Sequence, residues 1–557
     1  MTQNNEDAEK STEQTTEPVN KNIREKTNRL FKLVPEVGAG WRWYDIPVKL
    51  LESWLKSWRP RILPPVLRRL LVRGINFFSV FNEYERSKRE PLDDPMDNLI
   101  IPEEMELKQC GVWTVELFPP SQFKSLERSF QKNGLNRSPF QATDETASQQ
   151  VRRAREGRGF AWSLIGTISR ANSKYLLPAI KHENLPEEFE YIKITAIQLG
   201  TSVTAVVTFF QLSDAGASNL DRVWRGSHEP TLTWTGFRRP RLAGRYFAAI
   251  EATQHERLRI HDLARIWASR LSPGFFASRG NQHPVLDLNL FEGFDPLLEG
   301  DSSSMRHAMR ALGMGHWELE KYISPQMKGT TLIPSYGRNG PHEPIKNCWS
   351  IAGEYQRVIN ENKRSSCDDN SYTAKGIGHI LGDAAGAFLL HLAVKAYISE
   401  QIAFYALSRD LASTRHRRFK ARKARRLSLE ILESGLDLPA VARDSRHLSN
   451  KRWYLNIEVQ AVPSILKRKK FEPFNLIESF NKDREKGFQQ LIEQDESYRT
   501  VLSTVAALGA SADAAWTGRV ALFVAAGSMI VATITLLITQ TSDTSLLSSF
   551  IEWLGRG

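Results

Sequence analysis

The sequence predicts an α+β fold: a helix-rich cytoplasmic domain, then a long stalk helix and one C-terminal transmembrane helix. Three observations predict it. Short strand-like stretches alternate with amphipathic helical patterns between residues 101 and 344. From Leu476 to the end the chain contains no proline. And VALFVAAGSMIVATITLLIT, Val520 to Thr539, is twenty residues without a charge. Such a run matches a hydrocarbon core of about 30 Å at about 1.5 Å of helical rise per residue.

The charges set the background. The chain has 557 residues and a formal net charge of +12. That excess favours acidic partners, either anionic lipid headgroups or nucleic acid. The cysteines Cys110, Cys348 and Cys367 are few and far apart, so neither a zinc-type pair nor a disulfide framework is expected. Residues 1–28 are polar, charged and without an apolar core segment, which reads as a disordered tail rather than a secretory signal. The large N-terminal part is therefore expected to stay in the cytoplasm.

Residues 29–100 form a basic, aromatic segment. Four of the fourteen tryptophans lie between Trp41 and Phe78, interleaved with Arg, Lys and Leu and broken by Pro60, Pro64 and Pro65. Amphipathic helices packed on the domain fit this composition best. Contact with lipid headgroups is the functional alternative.

An α+β domain is expected over 101–344. GVWTVELF, Gly111 to Phe118, reads as a strand, followed by a helix capped by Ser121 that buries Phe123, Leu126 and Phe130 and closes at Asn133-Gly134. The charge-free run Ile194 to Ser213 contains Gln198, Gln211 and a central Gly200-Thr201-Ser202, which fits a hairpin rather than a span. A long helix is expected around Arg245 to Leu271, with strands at Thr231–Thr235, Val285–Leu290 and Thr330–Tyr336, the last cut short by Pro334. Asp287 and Asn289 share one face of their strand, and the expectation is an edge strand with that face in solvent.

Residues 345–474 read as nearly all helix, with Leu389 to Leu407 a buried helix because Lys395 and Glu400 interrupt it. The run 415–426 holds Arg415, Arg417, Arg418, Lys420, Arg422, Lys423, Arg425 and Arg426 without one acid. A helix of that composition is cationic on every side and stays in solvent, where it can meet the phosphates of lipid or, less favourably, of nucleic acid. KRKK, Lys467 to Lys470, repeats the pattern on a smaller scale.

The motifs of known chemistry are incomplete. GIGHILG, Gly376 to Gly382, has neither the preceding strand nor the spacing of a dinucleotide loop, and reads as a helix start with small residues for close packing. His379 and Asp383, four apart, would share a helical face, with His391 two turns on; two ligands do not make a metal site. Asp287, Asp295 and His379 are the only candidates for phosphate-directed catalysis. No cofactor and no metal is expected.

Residues 475–519 read as the stalk, 520–539 as the span and 540–557 as a short tail. Alternating steps of three and four residues pick out only small side chains, and within the span these are Ala521, Ala525, Ser528, Ala532, Thr535 and Thr539. Apolarity cannot drive helices together in lipid, whereas close backbone approach can, so this seam is expected to face another helix. The functional expectation is a single-pass, C-terminally anchored membrane protein that self-associates and acts as a binding or signalling module. A membrane-tethered enzyme and an oligomeric pore are the alternatives. The expected partners are the bilayer, its anionic headgroups and a second copy of the chain.

Overall fold

The computed structural model describes residues 42–57, 63–89, 99–137, 145–171, 181–234, 240–298, 303–314, 321–337, 340–362, 374–415, 421–449, 452–462, 473–539, 550 and 552–555. They divide into two compact units, one of residues 1–396 with 444–482 and one of 397–443 with 483–557.

The first unit opens with two helices, α1 (Asp45–Lys56) and α2 (Pro65–Arg89), neither of which contains a buried residue. Trp43, just before α1, stands edge-on to Phe81 of α2 with the ring centroids 4.9 Å apart. The domain proper follows: β1 (Glu106–Phe118), α3 (Phe123–Lys132), α4 (Ala147–Arg155), β2 (Trp162–Ser169), β3 (Lys181–His182), β4 (Phe189–Gln198), β5 (Thr204–Leu212), α5 (Asp214–Trp224), β6 (Thr231–Trp234), β7 (Pro240–Ala243), α6 (Arg245–Leu271), α7 (Phe275–Ser278), β8 (Val285–Glu292), α8 (Ser303–Ala311), β9 (Lys321–Ile323), β10 (Thr330–Gly337), β11 (Gly340–Glu354), α9 (Tyr355–Asn362) and α10 (Ala374–Ile380). The remaining elements are α11 (Gly382–Arg415), α12 (Ala421–Ser445), β12 (Gln460–Val462) and α13 (Leu476–Thr539).

Ten strands form one sheet in the order β12-β9-β10-β11-β8-β1-β5-β4-β2-β3, and β6 and β7 form a separate pair. The sheet is antiparallel except for β11 beside β8 and β2 beside β3. β1 sits in the middle and is buried along nearly its whole length. A bulge between Gln109 and Gly111 shifts its register on β8. The extra residue returns the side chains of Leu107, Gln109, Val112 and Thr114 to one face, so a thirteen-residue strand keeps a continuous inner row.

Each face of the sheet is covered. On one, Ile260, Ala264, Ala268 and Leu271 of α6 pack with Val112, Ile192, Ile194 and Phe210, joined by Phe123, Leu126 and Phe130 from α3 and Val151 from α4. On the other, Trp113 stacks on Phe209 at 4.6 Å and Trp349 meets Phe388 of α11 at 5.1 Å. Full burial of large rings on both faces is the main apolar driving force of the domain.

The strand of Asp287 therefore corrects the sequence expectation. β8 lies between β11 and β1, not at an edge, and Asp287 and Asn289 are both 0% exposed. The reading of 345–474 as nearly all helix also fails, because β11 runs to Glu354 and β12 crosses Gln460–Val462. β10 passes through Pro334 with an irregular register after it, rather than stopping there. Ser121 is not a helix cap; a 3-10 turn over Pro120–Gln122 intervenes before α3 begins. Gly134, at φ +70°, closes α3 as a left-handed residue, where glycine meets no Cβ penalty. The hairpin of β4 and β5 forms as read, and its turn is tied from afar: the Asp444 carboxylate accepts the backbone N–H groups of Ser202 and Val203.

The second unit contains the rest of α11, most of α12 and α13 from Asp483. The Tyr405 hydroxyl donates to Asp495 at 2.8 Å, and Arg499 pairs with the same carboxylate at 2.7 Å. Gly435 of α12 lies against this pair, with room for no Cβ: one would fall 2.5 Å from the Asp495 carboxylate. α13 is a single helix of 64 residues, and its segment Trp516–Leu536 is long and apolar enough to span a membrane, with none of it buried.

Candidate functional site

A cleft of about 410 Å³, counted to its open mouth, lies over the α11 face of the sheet in the first unit. Strand alternation builds its floor. Lys193, Thr195 and Ile197 are two apart on β4 and point the same way. Register places Trp113, Phe209 and Lys193 in one row across β1, β5 and β4, with Val207 beside Thr195. Trp162 from β2 and Tyr454 close one side; Gly378 and His379 of α10 and Gly382, Asp383 and Gly386 of α11 form the other.

The polar groups of the cleft are few and opposed. Burial lowers the Lys193 ammonium from its ordinary value, and the nearby Asp383 carboxylate partly restores it. Burial, helped by the Lys193 charge, pushes His379 down to about 3, so its imidazole is neutral at pH 7. The ring stands edge-on to Tyr191 and Phe209, with centroids 6.1 and 5.9 Å away. Asp383 is exposed at the rim. An interruption of the helix at Leu381 decides this layout: α10 stops at Ile380 and α11 starts at Gly382, so His379 and Asp383 are on two helices and not on one helical face as read, yet they line one cleft. His391 is buried further along α11 and does not line it.

The opposite face of the sheet holds a buried charge network. Arg257 of α6 reaches Asp287 through both Nε, at 2.6 Å, and Nη2, at 3.1 Å. His261 Nε2 lies 2.9 Å from the same carboxylate, and Arg257 also donates to the Leu312 carbonyl and to the hydroxyls of Ser335 and Ser350. Burial alone would raise Asp287; Arg257 and His261 override it and hold the carboxyl far below the usual range. Burial would lower His261, and Asp287 raises it instead. Next to it, burial would raise the Cys348 thiol, but His261 and Arg265, whose Nη2 is 3.1 Å from Sγ, lower it. Thiol, imidazole and carboxylate thus stand in a row, each at most 1% exposed. A row so sealed offers substrate no approach and works as internal scaffolding.

The sequence candidates distribute as follows. Asp287 is neutralised inside this network. Asp295 accepts from Arg357 Nη1 at 2.7 Å and from the Leu297 N–H. His379 faces the cleft. The three share no partner, and no group of three or more His, Cys, Asp or Glu among the described residues is placed to hold a metal ion. Ala521, Ala525, Ser528, Ala532 and Thr535 are exposed on α13, and Thr539 is its last residue. Arg415 ends α11, and Arg422, Lys423, Arg425 and Arg426 lie in α12; the side chains of these five fall outside the described residues, as do Arg417, Arg418, Lys420 and Lys467 to Lys470 altogether. Lys193 was missed by the sequence reading: it is one charge in an otherwise ordinary strand. Gly382 and Gly386, four apart in GDAAG, were the available signal.

Comparison of the chain with protein-family models and with curated proteins gives no match.

Proposed function

We propose that this chain is a single-pass membrane protein, anchored by its C-terminal helix with its large N-terminal part in the cytoplasm. It self-associates through the stalk and span and uses its α+β domain as a binding or signalling module. One observation carries the reading: the segment Trp516–Leu536 leaves Leu522, Phe523, Met529 and Leu536 each more than 60% exposed. An apolar helix of that extent in water is an aggregation site, whereas 21 residues span about 30 Å of hydrocarbon. The exposed Trp43, Leu50, Trp54, Leu67 and Leu70 of the N-terminal helices, beside Arg68, Arg69 and Arg73, support contact with the headgroup layer. The basic run 415–426 fits anionic lipid for the same reason.

The test is crosslinking in native membranes, in a chain carrying Cys367→Ser. Single cysteines at Ala525 and Ser528 are expected to form disulfide dimers readily, and cysteines at Ile530 and Leu537 weakly. Equal yields at all four positions refute the seam. Extraction of the chain by alkaline carbonate refutes the anchor.

A further inference from the structure

The cover on the N-terminal helices is uneven along their length. α2 is fastened to the domain by its second half: Phe77 and Phe81 stand against the Trp234 ring, and Arg245 donates to the Lys88 carbonyl. Its first turns are uncovered. From Pro65 to Arg73 every residue except Leu71 is exposed, with Val66 at 66%, Leu67 at 45% and Leu70 at 52%. At 3.6 residues per turn these three side chains fall within roughly 100° of one another, and Arg68, Arg69 and Arg73 lie outside that arc. α1 carries a similar stripe, since Ile46, Leu50 and Trp54, four apart, are all exposed.

The charge around this surface has one sign. Between Glu52 and Glu83 the sequence holds Lys56, Arg59, Arg61, Arg68, Arg69 and Arg73 and no acid. An apolar stripe flanked by cations fits a partner that is apolar within and anionic at its surface. A leaflet carrying anionic phospholipid has that character everywhere, and the segment Trp516–Leu536 already calls for a bilayer. Arginine suits such a boundary twice: its stem lies along apolar surface, and its guanidinium takes two phosphate oxygens.

We propose that the α1–α2 pair is a second, in-plane membrane contact that selects anionic phospholipid. Val66, Leu67 and Leu70 enter the acyl boundary, as do Ile46 and Leu50 of α1, while Arg68, Arg69 and Arg73 hold headgroup phosphates. The inference deepens the proposed function and rests on it for the presence of a bilayer, but it concerns residues outside the anchor and can fail separately.

The experiment is spin-label accessibility in liposomes holding the full chain with Cys367→Ser, made of phosphatidylcholine alone or mixed with phosphatidylglycerol. A nitroxide is attached to a single added cysteine, Leu50→Cys, Leu67→Cys, Leu70→Cys or, in the span, Phe523→Cys; Cys110 and Cys348 are buried. Relaxation by oxygen, which concentrates in lipid, is compared with relaxation by a nickel chelate, which stays in water and is present on both sides of the bilayer. With phosphatidylglycerol, the labels at Leu50, Leu67 and Leu70 are expected to become at least threefold less accessible to nickel while remaining accessible to oxygen. Arg68→Gln, Arg69→Gln and Arg73→Gln combined are expected to undo this protection, whereas the three Arg→Lys changes combined, which keep the charge, retain most of it. Full nickel access at Leu67 and Leu70 with phosphatidylglycerol overturns the proposal, as does equal protection in both lipids or in the Gln variant. Loss of access to oxygen and nickel together also overturns it, because that pattern marks burial against protein, a second copy included. The label at Phe523 reports the anchor separately. Nickel access there with protection at Leu67 refutes the anchor and upholds this contact; the reverse pattern refutes this contact and leaves the anchor.

Discussion

A carboxylate without exposure to water persists in a sheet core only if its charge is answered on several sides, and Asp287 has Arg257, His261 and Gln109 around it. Removing Arg257 takes away the two-point cationic partner and leaves the buried carboxylate only His261 and Gln109. Arg257→Leu is therefore expected to cost about 3–5 kcal/mol, measured by urea denaturation. The two titrating members act in opposite pH windows. Asp287 is depressed, so its contribution is present above the unfolded carboxylate value of about 3.9 and is lost as pH falls through the folded value. His261 is raised, so its contribution is full below about 6.5 and is lost as pH rises through the raised value. The stability difference between wild type and His261→Gln should accordingly shrink from pH 6.5 upward; a difference constant to pH 9 would mean that His261 is not charged in the fold. Glycines give a second residue-scale contrast. Gly386→Ala should gain up to about 1 kcal/mol from helix propensity alone. Gly378→Ala should lose about 1–3 kcal/mol, because its Cβ would strike Phe209.

At the scale of elements, α1 and α2 set an energetic question. A helix pair with no buried residue and with Leu50, Trp54 and Leu70 exposed is held against the domain by a few contacts, among them Phe77 and Phe81 against Trp234 and the Arg245 hydrogen bond to the Lys88 carbonyl. If lipid covers this pair, brominated acyl chains in proteoliposomes will quench Trp54, and Trp54→Phe will lower the quenched fraction of the total fluorescence. No change in that fraction would remove α1 from the bilayer. The elements also show what can be read along a chain. β1, the β4–β5 hairpin, α6 and β8 announce themselves by local periods of 2 and 3.6, with α6 legible to its ends. The order of strands is not local. β8 looked like an edge because Asp287 alternates with leucines; its neighbours β1 and β11 make it central, and α6, through Arg257 and His261, covers that face. β11 carries Pro341, Pro344 and a left-handed Asn347, so its sequence argues against a strand that the partners on both sides nonetheless impose. The cleft was illegible for the same reason, since its lining comes from six elements and a loop residue that only the sheet brings together.

For the whole molecule, α13 poses the largest imbalance. Its early part is answered by its own chain: Asp495 by Tyr405 and Arg499, and Gly487 by Ile398, which stands 2.8 Å from where a Cβ would be. Between Trp516 and Leu536 every residue is exposed, and Gly518 and Gly527 have nothing within 4 Å. Lipid can cover the bulky side chains there, because Leu522, Phe523, Ile530 and Leu536 are as apolar as acyl chains. Lipid has no comparable preference for Ala521, Ala525, Ser528 and Ala532, whereas a second helix does, since small residues let backbones approach closely. Size on the seam should then matter more than apolarity off it. In membranes, Ser528→Leu adds apolar bulk to the seam and is expected to lower dimer yield at least threefold in the crosslinking assay from Ala525. Leu536→Ala removes more apolar surface from the chain, yet it lies off the seam and is expected to leave the yield within twofold. If Leu536→Ala is the more damaging change, association is driven by the bulky face, and the seam of small residues is only composition.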